Sequence, residues 1–293
     1  MPELPEVETI RIGLSQLLPH KVIRGVSFDS AKSFPNAPAD VKQFLVGATI
    51  TGVKRRAKVL LIELDNNYSL VTHLKMTGQL VYRDGNERFG AGHPSHSLVG
   101  KLPDKSTRVT LSLGGAKLYF NDQRKFGWMK LIPTEEVKNI DFFKKLGPEP
   151  LAASFSSKDF ALRMHSRPNT SIKAALLDQS VIAGVGNIYA DESLWGAKIH
   201  PATLVRDVSA AKLTKLFTEL QYVLKLSIAK GGSTDKNYVD AKGKRGSYLT
   251  FARVFRREGQ QCPRHEVTII KIRVAGRGTH LCPKCQKLVR SKK

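Results

Sequence analysis

In the first half of the chain, apolar residues fall in short runs. Val22–Phe28, Ala48–Val53, Val59–Leu64, Leu70–Leu74, Arg108–Leu113 and Lys117–Phe120 are rich in β-branched side chains. Several alternate apolar and polar positions, as half-buried antiparallel strands do. One helix, near Glu6–Leu18, precedes them. Residues 83–106, rich in Gly, Pro, Ser and charge, read as a long loop with no assignable function. LGPEPLAASFSS, 146–157, combines prolines with small residues and reads as an interdomain linker.

Beyond that segment the apolar period becomes helical. Ser156 with Asp159 resembles a capping arrangement that opens a helix. Ser171–Ser180 and Asn187–Trp195 read as helices around a Gly-rich break. From Ser209 to Lys230, Leu213, Leu216, Phe217, Leu220, Val223 and Leu224 recur at helical spacing, and Gly231–Gly232 end the run. The pattern is that of an α+β protein. No internal repeat is visible.

Charge changes this picture more than composition does. Lys and Arg number 48 against 25 Asp and Glu, a formal +23 at neutral pH. Such a surface attracts polyanions, nucleic acid foremost, with ribosomal or membrane-surface proteins as the alternatives. The opening MPELPEVETI lacks a basic-then-apolar signal pattern, and no apolar run approaches membrane-spanning length. A cytosolic, reducing location is expected. Only three cysteines occur, all within the last 32 residues, which does not suit a disulfide framework.

Those cysteines form part of a metal pattern. Cys262-Pro-Arg-His265 and Cys282-Pro-Lys-Cys285 are two ligand pairs separated by 16 residues. A two-residue gap lets a tight turn aim both side chains at one ion, and two such turns complete a tetrahedron suited to zinc. Four protein ligands leave no open position, so one structural Zn2+ is expected. His280 is a competitor for His265 but lacks the paired spacing. Between the pairs, Ile270–Thr279 alternates as a β-hairpin turning near Gly276–Gly278, with Arg277 at its tip as a phosphate or groove contact or as a solvated turn residue.

MPELPEVET, NDQRKFGW, DQSVIAGVGNIYADESLW and GRGTHLCPKCQ, in that order, resemble the bacterial formamidopyrimidine-DNA glycosylase family. Leu4 separates the chain from the related endonuclease VIII opening, which has Gly there. His265 departs from the family's common four-cysteine zinc site. The resemblance implies an N-terminal antiparallel β-sandwich with flanking helices (1–148), a linker (149–157), a helix-two-turn-helix DNA-binding region (158–250) and a zinc-finger hairpin (251–293).

The resemblance also implies chemistry. Pro2, once Met1 is removed, is a secondary amine able to displace a base and form an iminium directly. Glu3 is the implied general acid/base, Glu6 a further active-site carboxylate (or simply a helix-start acid), and Lys58 a catalytic contact to the substrate backbone. A flipped nucleotide leaves a void, for which Met76, Arg124 and Phe126 are the implied fillers, although by composition Met76 and Phe126 read as core. Asn187, after Gly184-Val-Gly, and Lys173 are implied phosphate contacts. Asp235–Gly246 resembles the family's loop over the flipped base.

The function expected is a bifunctional DNA glycosylase/AP lyase of base excision repair. It would act as a monomer on double-stranded DNA with oxidised purines, and without a membrane partner. The alternatives are an endonuclease VIII-like enzyme for oxidised pyrimidines and a non-catalytic zinc protein that binds nucleic acid.

Overall fold

The computed structural model describes residues 2–85, 87–93, 95–233 and 248–289. These divide into two compact units, one of residues 2–144 with 228–233 and one of residues 145–227 with 248–289.

The first unit is a pair of antiparallel sheets. Its elements in order are α1 (Leu4–Leu17), β1 (Gly25–Phe28), α2 (Pro38–Phe44), β2 (Ile50–Arg56), β3 (Val59–Leu64), β4 (Tyr68–His73), β5 (Gly78–Asp84), β6 (Glu87–Gly92), β7 (Thr107–Leu113), β8 (Ala116–Asp122), β9 (Trp128–Pro133) and α3 (Asp141–Lys144). One sheet runs β1-β7-β8-β5-β6, the other β2-β3-β4-β9. Period-2 alternation sends Leu60, Ile62, Leu80, Tyr82, Leu111, Leu118 and Phe120 into one core with Val7, Ile10 and Leu14 of α1.

The expected loop 83–106 contains a strand, β6, and the end of β5. Residues of β6 pair with β5 from Asp84↔Glu87 to Gln79↔Gly92. Its glycines are packing requirements and do not signal a turn. A Cβ on Gly90 would sit 3.2 Å from the Leu98 carbonyl oxygen, and one on Gly92 2.4 Å from that of Gly78. On the opposite side, Gly13 of α1 leaves room for the Phe89 ring, 2.2 Å from where its Cβ would be.

The second unit is helical: α4 (Ser157–His165), α5 (Ile172–Leu177), α6 (Asn187–Gly196), α7 (Ala210–Ala229, whose last two residues belong to the first unit) and α8 (Tyr248–Phe251). Ser156 caps α4 reciprocally, its Oγ accepting from Asp159 N at 3.2 Å while its own N–H donates to Asp159 Oδ2 at 3.1 Å. The apolar faces of these helices meet around Phe160, Ile172, Tyr189, Leu213, Leu216 and Leu220. Two small hairpins complete the unit, β10 (Gln261–Cys262) with β11 (His265–Thr268) and β12 (Ile270–Val274) with β13 (Arg277–Leu281).

The segment read as a linker from 146 is part of this unit. Gly147 N–H donates to Gln179 O at 2.8 Å, Ala183 N–H to Pro148 O at 2.9 Å, and Gln221 Nε2 to Pro150 O at 2.9 Å. Its prolines and glycine give a rigid docked strap. Among the described residues no helix is long and apolar enough to cross a membrane.

Candidate active site and metal centre

The chain start is built into the first unit. Pro2 is buried, and Glu3, 3% exposed, is the N-cap of α1. Proline next to the first helical residue costs no hydrogen bond, because the first helical N–H groups have no internal acceptor. Glu6 then folds back. Its Oε2 accepts from Glu3 N–H at 2.9 Å, and its Oε1 accepts from Ser233 N–H at 2.8 Å. The second bond relies on Gly232, whose φ of +87° is left-handed and whose Cα faces the Glu6 side chain. Glu6 therefore fixes two backbone segments, a role the sequence pattern does not reveal.

Lys58 lies in the two-residue turn between β2 and β3, where Arg56 pairs with Val59. The turn's first residue, Ala57, is left-handed at φ +54°, a conformation costing roughly 1–2 kcal/mol for an L-residue. Arg55 holds this turn and α1 together. Its Nη1 donates to Ala57 O at 2.9 Å and its Nε to Glu8 Oε2 at 2.8 Å. Burial works to raise the Glu8 carboxyl, but hydrogen bonds from Arg11 and Arg55 outweigh it and hold the group below the usual range. Lys58 itself is 8% exposed. His73 lies near it at the end of β4. Burial first, then the charges of Lys75 and Lys58, push its imidazole down to about 3, and Nδ1 accepts from Lys75 N–H at 3.0 Å as a neutral ring can.

Met76 and Phe126 are not core residues. They are 40% and 45% exposed, on the β4–β5 and β8–β9 turns. The Arg124 guanidinium lies over the Phe126 ring at 4.7 Å, and its Nη1 reaches Met76 Sδ at 3.1 Å. Both turns depend on a residue that sequence reasoning passed over, Asp122, which is fully buried. Its Oδ2 accepts from the N–H groups of Phe126 and Gly127 at 2.8 and 2.7 Å; its Oδ1 accepts from Arg124 N–H at 3.1 Å and from the Thr77 hydroxyl. An Asp that bonds its own chain two residues on is an Asx-turn signal, and Asp122-Gln-Arg could have been read that way.

In the second unit, the Lys173 expectation is corrected. Its side chain is fully buried, with Nζ 2.6 Å from Asp191 Oδ1 and 2.7 Å from Thr279 Oγ1. A buried ammonium must be matched by a carboxylate, so this lysine ties α5 to α6 and β13 and presents no charge to solvent. Asn187 opens α6 after Gly186, half exposed, with Nδ2 donating to Gly278 O at 3.0 Å. Arg277 is exposed, but the hairpin turns one step earlier than expected. Val274 pairs with Arg277, so Ala275 and Gly276, both at positive φ, form the tip.

The four expected zinc ligands converge, their ligand atoms all within 4.8 Å of one another. The Cys262 and Cys285 sulfurs are 3.8 Å apart, as are Cys282 Sγ and His265 Nε2. Zinc–sulfur bonds of about 2.3 Å at tetrahedral angles put sulfurs about 3.8 Å apart, so the donor set fits the ion. Burial pushes the Cys285 thiol up to about 11, against a lowering hydrogen bond from Arg264 and with neighbouring Cys262 adding to the rise; a bound zinc would require the thiolate form. His280 is elsewhere, its Nδ1 3.2 Å from Asp191.

Three family models cover most of the chain: the formamidopyrimidine-DNA glycosylase N-terminal domain over residues 1–129, its H2TH domain over 146–238, and the zinc finger found in FPG and IleRS over 259–288. The chain belongs to the formamidopyrimidine-DNA glycosylase family. The formamidopyrimidine-DNA glycosylase of Herpetosiphon aurantiacus is 41% identical over 290 residues, covering 98% of this chain and all of the relative. A Lactococcus lactis FPG variant in complex with Fapy-dG containing DNA matches with a TM-score of 0.86 at 33% identity, over 98% of this chain and 100% of that one. Wild-type Lactococcus lactis FPG with oxidised-pyrimidine DNA matches at 0.85 and 32%, with the same coverage. The H2TH match accounts for the helices around Gly184–Asn187, and the zinc-finger match spans all four ligands. The loop Asp235–Gly246 expected over a flipped base lies outside the described residues.

Proposed function

We propose that the chain is a bifunctional DNA glycosylase and AP lyase of base excision repair, acting on oxidised purines in duplex DNA. The observation that carries this reading is the start of α1, where Pro2 is buried beside the N-cap Glu3 and Glu6 fixes the backbone at Glu3 and at Ser233. Such a start suits chemistry on the α-amine. With Met1 removed, the Pro2 nitrogen is a secondary amine whose reference pKa near ~8 leaves an unprotonated fraction at neutral pH.

The amine attacks the sugar C1′. The bond from C1′ to the base breaks, and the base leaves with the bonding pair and gains a proton. Ring opening then yields an iminium, in which Pro2 is bonded to C1′ and the former ring oxygen takes a proton, for which Glu3 is the donor. The iminium acidifies the C2′ hydrogen. Its removal expels the 3′ phosphate, a second elimination expels the 5′ phosphate, and water releases the amine. Lys58, on the turn held by Arg55, supplies positive charge for the DNA backbone. Met76, Arg124 and Phe126 fill the space vacated by the flipped nucleotide, a use that agrees with their exposure.

Asn187 and Arg277 are the proposed phosphate contacts of the second unit. The domain roles follow the family: catalysis in the N-terminal sandwich, DNA binding in the helical region and zinc hairpin. The protein would work as a monomer on chromosomal DNA, in the bacterial cytosol at the nucleoid. A second reading has a specific support: the Lactococcus lactis relative was captured on oxidised-pyrimidine DNA. Excision assays on paired duplexes carrying 8-oxoguanine or an oxidised pyrimidine separate the two. Faster release of the purine lesion is expected; preference for the pyrimidine would move the chain to the endonuclease VIII-like reading. Tight binding of both without release of either would leave a non-catalytic DNA-binding protein.

A further inference from the structure

We propose that Arg55 is the positioning residue for Lys58, with Glu8 holding Arg55 to that task. The proposal rests on the glycosylase reading. It explains how the two elements that carry the chemistry, the start of α1 and the β2–β3 turn, keep one geometry.

The Glu8 carboxylate is shared between two guanidiniums. Arg11, one turn along the same helix, bonds Oε1 at 2.8 Å from Nε, and Arg55 bonds Oε2 at 2.8 Å. The pair with Arg55 is sheltered, with side chains 11% and 17% exposed. A guanidinium is a flat fork with several fixed donors. Arg55 uses Nε toward the helix and Nη1 toward the Ala57 carbonyl, so it bridges α1 to the turn rather than merely pairing with a charge. The carbonyl it grips belongs to the residue just before Lys58. That residue is the one at φ +54°, a conformation an alanine does not adopt unaided. Gripping its carbonyl fixes the peptide from which the Lys58 side chain departs. Lysine at position 55 would keep the charge but could not span both acceptors with fixed geometry.

The test uses the full-length, zinc-containing protein with Arg55→Lys, Arg55→Ala, Glu8→Gln, Lys58→Ala and the Arg55→Ala/Lys58→Ala double variant. The first readout needs no activity: brief acylation with a water-soluble amine reagent, quantified by peptide mass at each lysine. Arg55→Lys should raise labelling of Lys58 at least fivefold while leaving exposed Lys54 unchanged. The second is single-turnover excision with DNA affinity measured alongside. Arg55→Lys and Arg55→Ala should slow excision about tenfold or more with Kd within twofold, and Arg55→Ala should cost nothing further in the Lys58→Ala background. If Arg55→Ala folds poorly, Glu8→Gln should show the same pattern at smaller amplitude with an unchanged melting temperature. Unchanged Lys58 labelling, or an equal loss in the Lys58→Ala background, overturns the proposal. A wild-type protein that excises nothing overturns the glycosylase reading instead, and the labelling result still decides the role of Arg55.

Discussion

The Lys173 ammonium lies 2.6 Å from the Asp191 carboxylate, with both side chains fully buried. Asp191 also accepts from His280 N–H at 2.9 Å, and Lys173 reaches Gly278 O at 3.3 Å, so this ion pair fastens the β12–β13 hairpin, which leads into Cys282, to α5 and α6. Removing one partner of a buried pair strands the other charge. Lys173→Met or Asp191→Ala should each cost about 3–5 kcal/mol in denaturant unfolding, and the double variant should recover part of that loss. The salt dependence of DNA binding should keep its slope in Lys173→Met. Arg277→Ala, which removes an exposed cation, should flatten it by roughly one contact.

A second prediction concerns Asp122, whose carboxylate takes three backbone N–H groups and the Thr77 hydroxyl from the two turns that display Met76, Arg124 and Phe126. Asp122→Ala should destabilise the protein by about 2–4 kcal/mol, since bonds to a buried charge are among the stronger ones. Its functional effect should mimic Arg124→Ala, which loses about 1–3 kcal/mol of discrimination over the base opposite the lesion. Like Met76→Ala, it should slow excision of a paired 8-oxoguanine more than cleavage at a preformed abasic site. Equal slowing on both substrates would mean that the turns serve folding rather than gap filling.

Much of this arrangement is legible in the sequence where spacing alone constrains the chemistry. The two ligand pairs at Cys262/His265 and Cys282/Cys285 fix a tetrahedral site whatever lies between them. The Ser156–Asp159 cap is local for the same reason. The strand β6 is not legible because its glycines answer to neighbours that only the fold brings close, Leu98 beside Gly90 and Gly78 beside Gly92. Lys173 misled for a related reason: a lysine on a predicted helix reads as solvated until the helix that brings Asp191 against it is known. Met76 and Phe126 err in the opposite direction, because hydrophobic patterning does not distinguish a core residue from an exposed apolar one on a turn.

The pH prediction turns on His73, whose imidazole has its folded-state pKa pushed down to about 3 from 6.5. Between those values the unfolded chain binds a proton that the folded one does not, so His73 makes stability fall as pH drops below about 6.5. The loss should reach about 3 kcal/mol at pH 4. His73→Gln, compared with wild type in urea titrations at pH 7 and pH 4, should reduce the stability difference between the two pH values by roughly that amount. Parallel pH dependence in both proteins would show that the imidazole protonates freely in the fold.

Zinc should be stoichiometric, one per chain, and should hold the hairpin that presents Arg277. Chelation or Cys282→Ala should lower the melting temperature and weaken DNA binding. His265→Cys should restore a four-thiolate site and retain zinc. Freshly purified, active protein without zinc would reject this assignment.

Every step of the proposed reaction depends on the Pro2 nitrogen as nucleophile. The most direct measurement is borohydride reduction of the protein mixed with duplex DNA carrying 8-oxoguanine, followed by peptide mapping of the trapped adduct. The expected result is a stable one-to-one adduct on Pro2, formed only after Met1 is removed and abolished when Met1 is retained. An adduct mapped to Lys58, or base excision at full rate with the α-amine blocked, would contradict it.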